Sequence, residues 1–219
     1  MLGADEAGKG PVLGPMVAAA VRAPEAAIPD GVDDSKRLAP ARREELDARL
    51  RGHPDVDVGL AVVTTSRIDD PGTDMNSLTV AGQAEALAAV AAEGDEAIVD
   101  AGDVSEARFA RRVGEGVAGT EPGVDLAVAA EHGADESYPI VAAASVLAKV
   151  ERDRLVAGIA EEYAAYGEVG SGYPSDPTTR EFLRKYVREE GDLPDCARRS
   201  WATCADVLAA AEQSALGEF

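Results

Sequence analysis

The chain has 219 residues, enough for one sizeable core with a small appended lobe. It carries 21 basic against 41 acidic residues, a formal net charge of −20, which is the wrong sign for gripping nucleic acid by bulk electrostatics. No run reaches ~18 apolar residues and no charged-then-apolar leader opens the chain, so neither a membrane span nor export is expected.

The first stretch, Met1-Leu-Gly-Ala-Asp5-Glu6-Ala-Gly8-Lys9-Gly10, ends a short apolar run in two adjacent carboxylates. The glycine loop that follows lets backbone amides approach a phosphate or sugar without Cβ interference. Asp5 and Glu6 are hard-oxygen donors suited to Mg²⁺ or Mn²⁺, although a solvated acidic turn would look the same in isolation. Residues 14–23 read as a strand paired with the one ending at Asp5.

Asp34-Ser35-Lys36-Arg37-Leu38 precedes a helix expected over 40–51, with Pro40 in its first turn. The alternating, β-rich residues 56–65 suggest a third strand of a meander. A helix follows over 76–92, with Leu78, Ala81, Ala84, Leu87 and Ala88 on one side. Residues 96–101 form a short strand ending in Asp100, a carboxylate costly to bury there unless it is paired or binds a cation. Asp103 is expected to cap a helix over 104–113.

Residues 123–130 read as a further strand. Asp135 then stands just ahead of a buried helix running from Ile140 through Ile159, with Pro139 in its first turn. Glu131 and Glu136 are neighbours that spacing alone does not exclude as ligands. His132 is given a structural hydrogen-bonding role, and His53 a surface one. Gly170-Ser-Gly-Tyr173-Pro is a glycine-rich turn presenting an aromatic; Asp176 is expected to cap a helix reaching Arg188, and Ser200 a last one over 201–213. Cys196 and Cys204 form no metal or disulfide framework, which suits a reduced, cytoplasmic protein.

These blocks, with Ala142-Ala-Ala-Ser145-Val-Leu-Ala-Lys149 and Arg199-Ser-Trp201-x-Thr203, occur in the order found in ribonuclease HII in its archaeal form, and together they closely resemble that family from residue 1 to about 203. Pattern alone stops at α/β. The resemblance implies a ribonuclease H-like mixed sheet flanked by helices, with a catalytic domain over 1–174 and a small C-terminal helical lobe over 175–219. It implies an endonuclease, acting as a monomer, that hydrolyses the RNA strand of RNA/DNA hybrids. Such an enzyme also cuts 5′ to single ribonucleotides in duplex DNA, leaving 5′-phosphate and 3′-hydroxyl ends.

By the same resemblance, Asp5, Glu6, Asp100 and Asp135 would hold two Mg²⁺ or Mn²⁺ ions, with Asp5 shared between them. Gly8, Lys9, Gly10 and Tyr173 would read the ribose, and Ser35, Lys36 and Lys149 would lie along the nucleic acid. Adjacent residues of a regular strand point to opposite faces, so joint service by Asp5 and Glu6 calls for a bend near Gly8. Lys9 departs from the Arg usual in the family and lacks its bidentate fork. The chain has only four lysines; with its acidity, this suggests a halophilic source, since in molar salt the Debye length shrinks to about 3 Å. The tail ending in Phe219 resembles a sliding-clamp peptide only loosely. The rival readings are a generic two-metal phosphodiesterase or DNA nuclease and a non-enzymatic acidic binding module.

Overall fold

The computed structural model describes residues 1–32 and 38–216. They fall into two compact units: residues 1–9, 16–32, 38–63 and 74–152 form the first, and 10–15, 64–73 and 153–216 the second.

The first unit is built on a five-stranded sheet. Its strands are β1 (Leu2–Ala7), β2 (Met16–Arg22), β3 (Asp57–Val63), β4 (Glu96–Asp100) and β5 (Ala127–Glu131), in spatial order β3-β2-β1-β4-β5. The β1–β2 and β2–β3 pairs are antiparallel, whereas β1–β4 and β4–β5 are parallel. This is the expected meander joined to parallel strands. The β2 strand is buried at every position except Arg22, as a central strand covered on both faces should be.

Helices α1 (Pro40–Gly52), α3 (Met75–Ala88), α4 (Glu106–Ala118) and the four-residue α5 (Ala134–Ser137) belong to this unit, as do residues 139–152 of α6 (Pro139–Glu162). Leu2 and Ala4 of β1 share a core with Val80, Ala84 and Leu87 of α3 and with Phe109, Val113 and Val117 of α4. On the other face, a Cβ at Gly3 would stand 2.9 Å from the Ile140 backbone, so α6 lies close there.

The second unit contains the short α2 (Thr65–Ile68), α7 (Pro177–Glu190) and α8 (Ala202–Leu216). Val12, Leu13, Phe182, Leu183, Val187, Cys196 and Cys204 are in its core. Asp176 caps α7 as expected, accepting from the Thr178 amide at 2.9 Å.

Several boundaries differ from the sequence reading. The 76–92 helix stops at Ala88, where the amides of Val90 and Ala91 turn back to the Leu87 carbonyl. The 104–113 helix instead runs Glu106–Ala118 with Ser105 as its cap, because burial of Phe109, Val113 and Val117 outweighs the intrinsic cost of Gly114 and Gly116. Asp103 therefore is not its cap; it receives the Val104 amide at 2.7 Å and grips the Arg108 guanidinium at 2.6 and 2.9 Å. The strand expected from 123 starts only at Ala127, since the five residues of β4 offer no earlier partner. Ser200 donates both its amide and its hydroxyl to Asp69, at 2.9 and 2.6 Å.

Candidate active site

The β1 ladder runs unbroken from Leu2↔Arg22 to Ala7↔Val17, so the chain does not bend between Asp5 and Glu6. The turn comes at Gly8, whose φ of +96° suits glycine. Strand alternation instead sends the two carboxylates to different helices. Asp5 faces α6 and is hydrogen-bonded by Ser145. Glu6 faces α3, where its Oε2 accepts from Gln83 Nε2 at 2.6 Å.

Asp5 is 5% exposed, and its acidity is strongly altered. Burial first, then the neighbouring negative charges of Glu6 and Asp100, push its pKa well above the ordinary carboxylate range. Hydrogen bonds from Ser145 and from the Glu6 amide, the latter at 2.6 Å, oppose that shift.

Asp100 ends β4, with its Oδ1 accepting the Ala134 amide at 2.9 Å. That contact brings the start of α5 to the strand end and sets Asp135, 5% exposed, next along the chain. Lys9 Nζ donates to the Gly102 carbonyl at 3.0 Å and lies 3.7 Å from Glu6 Oε1. An open cleft of about 330 Å³ is lined by Glu6, Lys9, Asn76, Asp100, Gly102 and His132, among others. A larger cleft of about 680 Å³ at the starts of β1, β4 and β5 contains none of the four carboxylates.

Among the described residues, no three acidic, histidine or cysteine side chains are already gathered as metal ligands. Like charges repel, and Asp5, Glu6 and Asp100 are each turned onto a protein donor. The donor set still fits a hard divalent cation: it is all oxygen, and a cation would relieve the crowding that perturbs Asp5.

His132 is tied down rather than poised as a base. Its Nδ1 meets Glu106 Oε1 at 2.8 Å and its Nε2 meets the Asp103 carbonyl at 2.7 Å. These acceptors raise its pKa, the Asp103 carbonyl contributing most.

Of the remaining predicted contacts, Lys149 sits on α6 one turn beyond Ser145, half-buried. Ser35 and Lys36 lie outside the described residues. Within the second unit, a Cβ at Gly10 would come 3.6 Å from the Tyr173 ring, and Trp201 Nε1 donates to the Gly10 carbonyl at 3.4 Å. Tyr173 is 44% exposed on a turn anchored by Asp176, which accepts from the Ser171 amide and hydroxyl, both at 2.7 Å.

Sequence reasoning missed Gln83 and Ser145 as residues that hold the carboxylates. Each had a readable signal, being a polar residue among mostly apolar neighbours on a buried helix.

The ribonuclease HII family model matches residues 2–204. The chain belongs to the ribonuclease HII family. Ribonuclease H activity on RNA/DNA hybrids is the function of that family, and its members depend on divalent metal. The chain is 61% identical to the ribonuclease HII of the halophile Halobacterium salinarum over 217 residues, covering 99% of this chain and 98% of the relative. The solved ribonuclease H2 of Pyrococcus horikoshii OT3 superposes with a TM-score of 0.84 at 37% identity, covering 97% of this chain and 100% of that one. The ribonuclease HII in the PCNA:RNase HII complex from Archaeoglobus fulgidus gives a TM-score of 0.79 at 38% identity, over 94% of this chain and 95% of that one. The mixed sheet flanked by helices is thus the ribonuclease HII fold, and no helix among the described residues is long and apolar enough to cross a membrane.

Proposed function

We propose that the chain hydrolyses the RNA strand of RNA/DNA hybrids and also cuts 5′ to single ribonucleotides in duplex DNA, with Asp5, Glu6, Asp100 and Asp135 as the ligands of two divalent cations. The observation that carries this is the burial of Asp5 against the charges of Glu6 and Asp100, an arrangement that a hard cation relieves.

Bound there, Mg²⁺ or Mn²⁺ would activate the attacking water and stabilise the leaving oxygen of an in-line displacement at phosphorus. The residues do the rest. Ser145 and the Glu6 amide orient Asp5, and the Ala134 amide orients Asp100. Lys9 keeps a positive charge beside Glu6. His132 has both ring nitrogens committed elsewhere, so proton transfer does not depend on it. The Gly8-Lys9-Gly10 backbone and Tyr173 read the 2′-hydroxyl and its sugar, the group that separates RNA from DNA. Ser35, Lys36 and Lys149 contact the backbone.

The protein works as a cytoplasmic monomer; the buried, disulfide-free Cys196 and Cys204 suit a reducing compartment. A charge of −20 with four lysines suits molar salt, where short-range contacts replace counterion release. A sliding clamp is a further partner, suggested by the Archaeoglobus fulgidus complex.

The test uses a DNA duplex with one ribonucleotide beside all-DNA and RNA/DNA duplexes, in high salt with Mg²⁺ or Mn²⁺. A single metal-dependent cut 5′ to the ribonucleotide, strongly reduced by Asp100→Asn, is expected. Cutting of all-DNA would favour a generic nuclease, and no cutting under any metal or salt would favour a binding module.

A further inference from the structure

Gln83 lies on α3 among Val80, Ala84 and Leu87, all buried, and is itself fully buried. A polar amide on such a face costs stability unless its hydrogen bonds are made. Its Nε2 makes two, to Glu6 Oε2 at 2.6 Å and to the Asp100 carbonyl at 3.0 Å. Both neighbours are acceptors, which fixes the orientation of the amide with its NH₂ towards them. Among the described residues, its Oε1 is buried with no hydrogen-bond partner. The side chain therefore spends both protons on two acceptors of the carboxylate cluster and leaves its own acceptor unsatisfied. A fold strut would be expected to satisfy its oxygen; Gln83 is placed for its donors.

The two hydrogen bonds link β1 to β4 at the level of the carboxylates. Glu6 points to the α3 face while Asp5 points to α6, so a donor on α3 can hold Glu6 Oε2 while Lys9 stands 3.7 Å from Oε1. The Asp100 carbonyl belongs to the residue whose side chain sits beside Asp5.

We propose that Gln83 is a positioning residue for the metal site, fixing the Glu6 carboxylate relative to the end of β4. This rests on the assignment of Glu6 as a ligand. Outer hydrogen-bond partners of ligating groups carry about 10- to 100-fold in metal affinity.

The experiment measures equilibrium binding of Mn²⁺ alone, together with metal-free thermal melting, in molar KCl. The proteins are wild type, Gln83→Met, Gln83→Leu, Glu6→Gln and the double variant Glu6→Gln/Gln83→Met. Gln83→Met should weaken Mn²⁺ binding about 10- to 100-fold while the protein stays folded, because loss of the orphaned oxygen offsets part of the cost of leaving Glu6 Oε2 and the Asp100 carbonyl without this donor. In the Glu6→Gln background, Gln83→Met should have no further effect on Mn²⁺ affinity. Unchanged affinity in Gln83→Met overturns the proposal, as does an additive loss in the double variant. So does unfolding of both Gln83→Met and Gln83→Leu, which would make Gln83 a fold strut. If Glu6→Gln alone binds Mn²⁺ as wild type does, the ligand assignment itself falls.

Discussion

Asp5 and Glu6 share a peptide bond but face different helices: Asp5 is held by Ser145 of α6, and Glu6 by Gln83 of α3. The two carboxylates thus straddle the sheet at the end of β1, and the helices on both faces take part in holding them. Replacement of a single carboxylate should separate chemistry from stability. Asp5→Asn and Asp100→Asn should each strongly reduce hydrolysis, since each removes a proposed ligand of the metal that activates the water. Asp5→Asn should at the same time raise the metal-free melting temperature by roughly 2–4 °C per kcal/mol of relieved repulsion, because it removes a carboxylate whose ionisation is opposed by burial and by the charges of Glu6 and Asp100. Parallel activity and melting measurements check both parts.

Tyr173 projects from its turn 44% exposed, so removing its ring should leave the fold intact. Tyr173→Ala should lower kcat/KM on a single embedded ribonucleotide by about 10- to 100-fold, the worth of one base- or sugar-stacking aromatic, while Tyr173→Phe should retain most of it. Unchanged kinetics in Tyr173→Ala would remove the residue from the substrate site.

The turn itself hangs on Asp176, whose carboxylate is held down to about 2 by the amide and hydroxyl of Ser171 and the amide of Thr178. A lowered carboxylate contributes stability that is fully present above its unfolded value near 3.9 and is lost as pH falls through about 2. Asp176→Ala should therefore lower the melting temperature at neutral pH and flatten its acid dependence. Gly170→Ala should destabilise the same turn by about 1 kcal/mol or more, since φ is +74° and the added Cβ would stand 2.6 Å from Asp176 Oδ2.

His132 ties the loop after β5 to the first turn of α4. With its pKa raised by the Asp103 carbonyl and the Glu106 carboxylate, its contribution is fully present below its unfolded value of about 6.5 and is lost as pH rises through the higher folded value. The melting-temperature difference between wild type and His132→Gln should shrink as pH rises beyond the unfolded value of about 6.5, and hydrolysis should persist in the variant.

The charge of −20 implies self-repulsion that salt screens. The melting temperature should climb steadily from low salt into molar KCl. A flat or falling profile would argue against adaptation to high salt.

Local chemistry made much of this protein readable from its residues in order. The strand–loop block around Asp5, the three meander strands, the Asp176 cap and the long buried helix all depend on spacing over a few residues, and ordered motifs over 2–204 carry the family. The tertiary structure decided what depends on partners distant in sequence. Whether Asp103 caps a helix or grips Arg108 was settled by where packing starts α4, and the first residue of β5 by the length of β4. Strand alternation is legible from sequence, but which helix covers each face is not. Gln83 lies 77 positions from Glu6, and only the packing of α3 on β1 turns a buried amide into a clamp on that carboxylate.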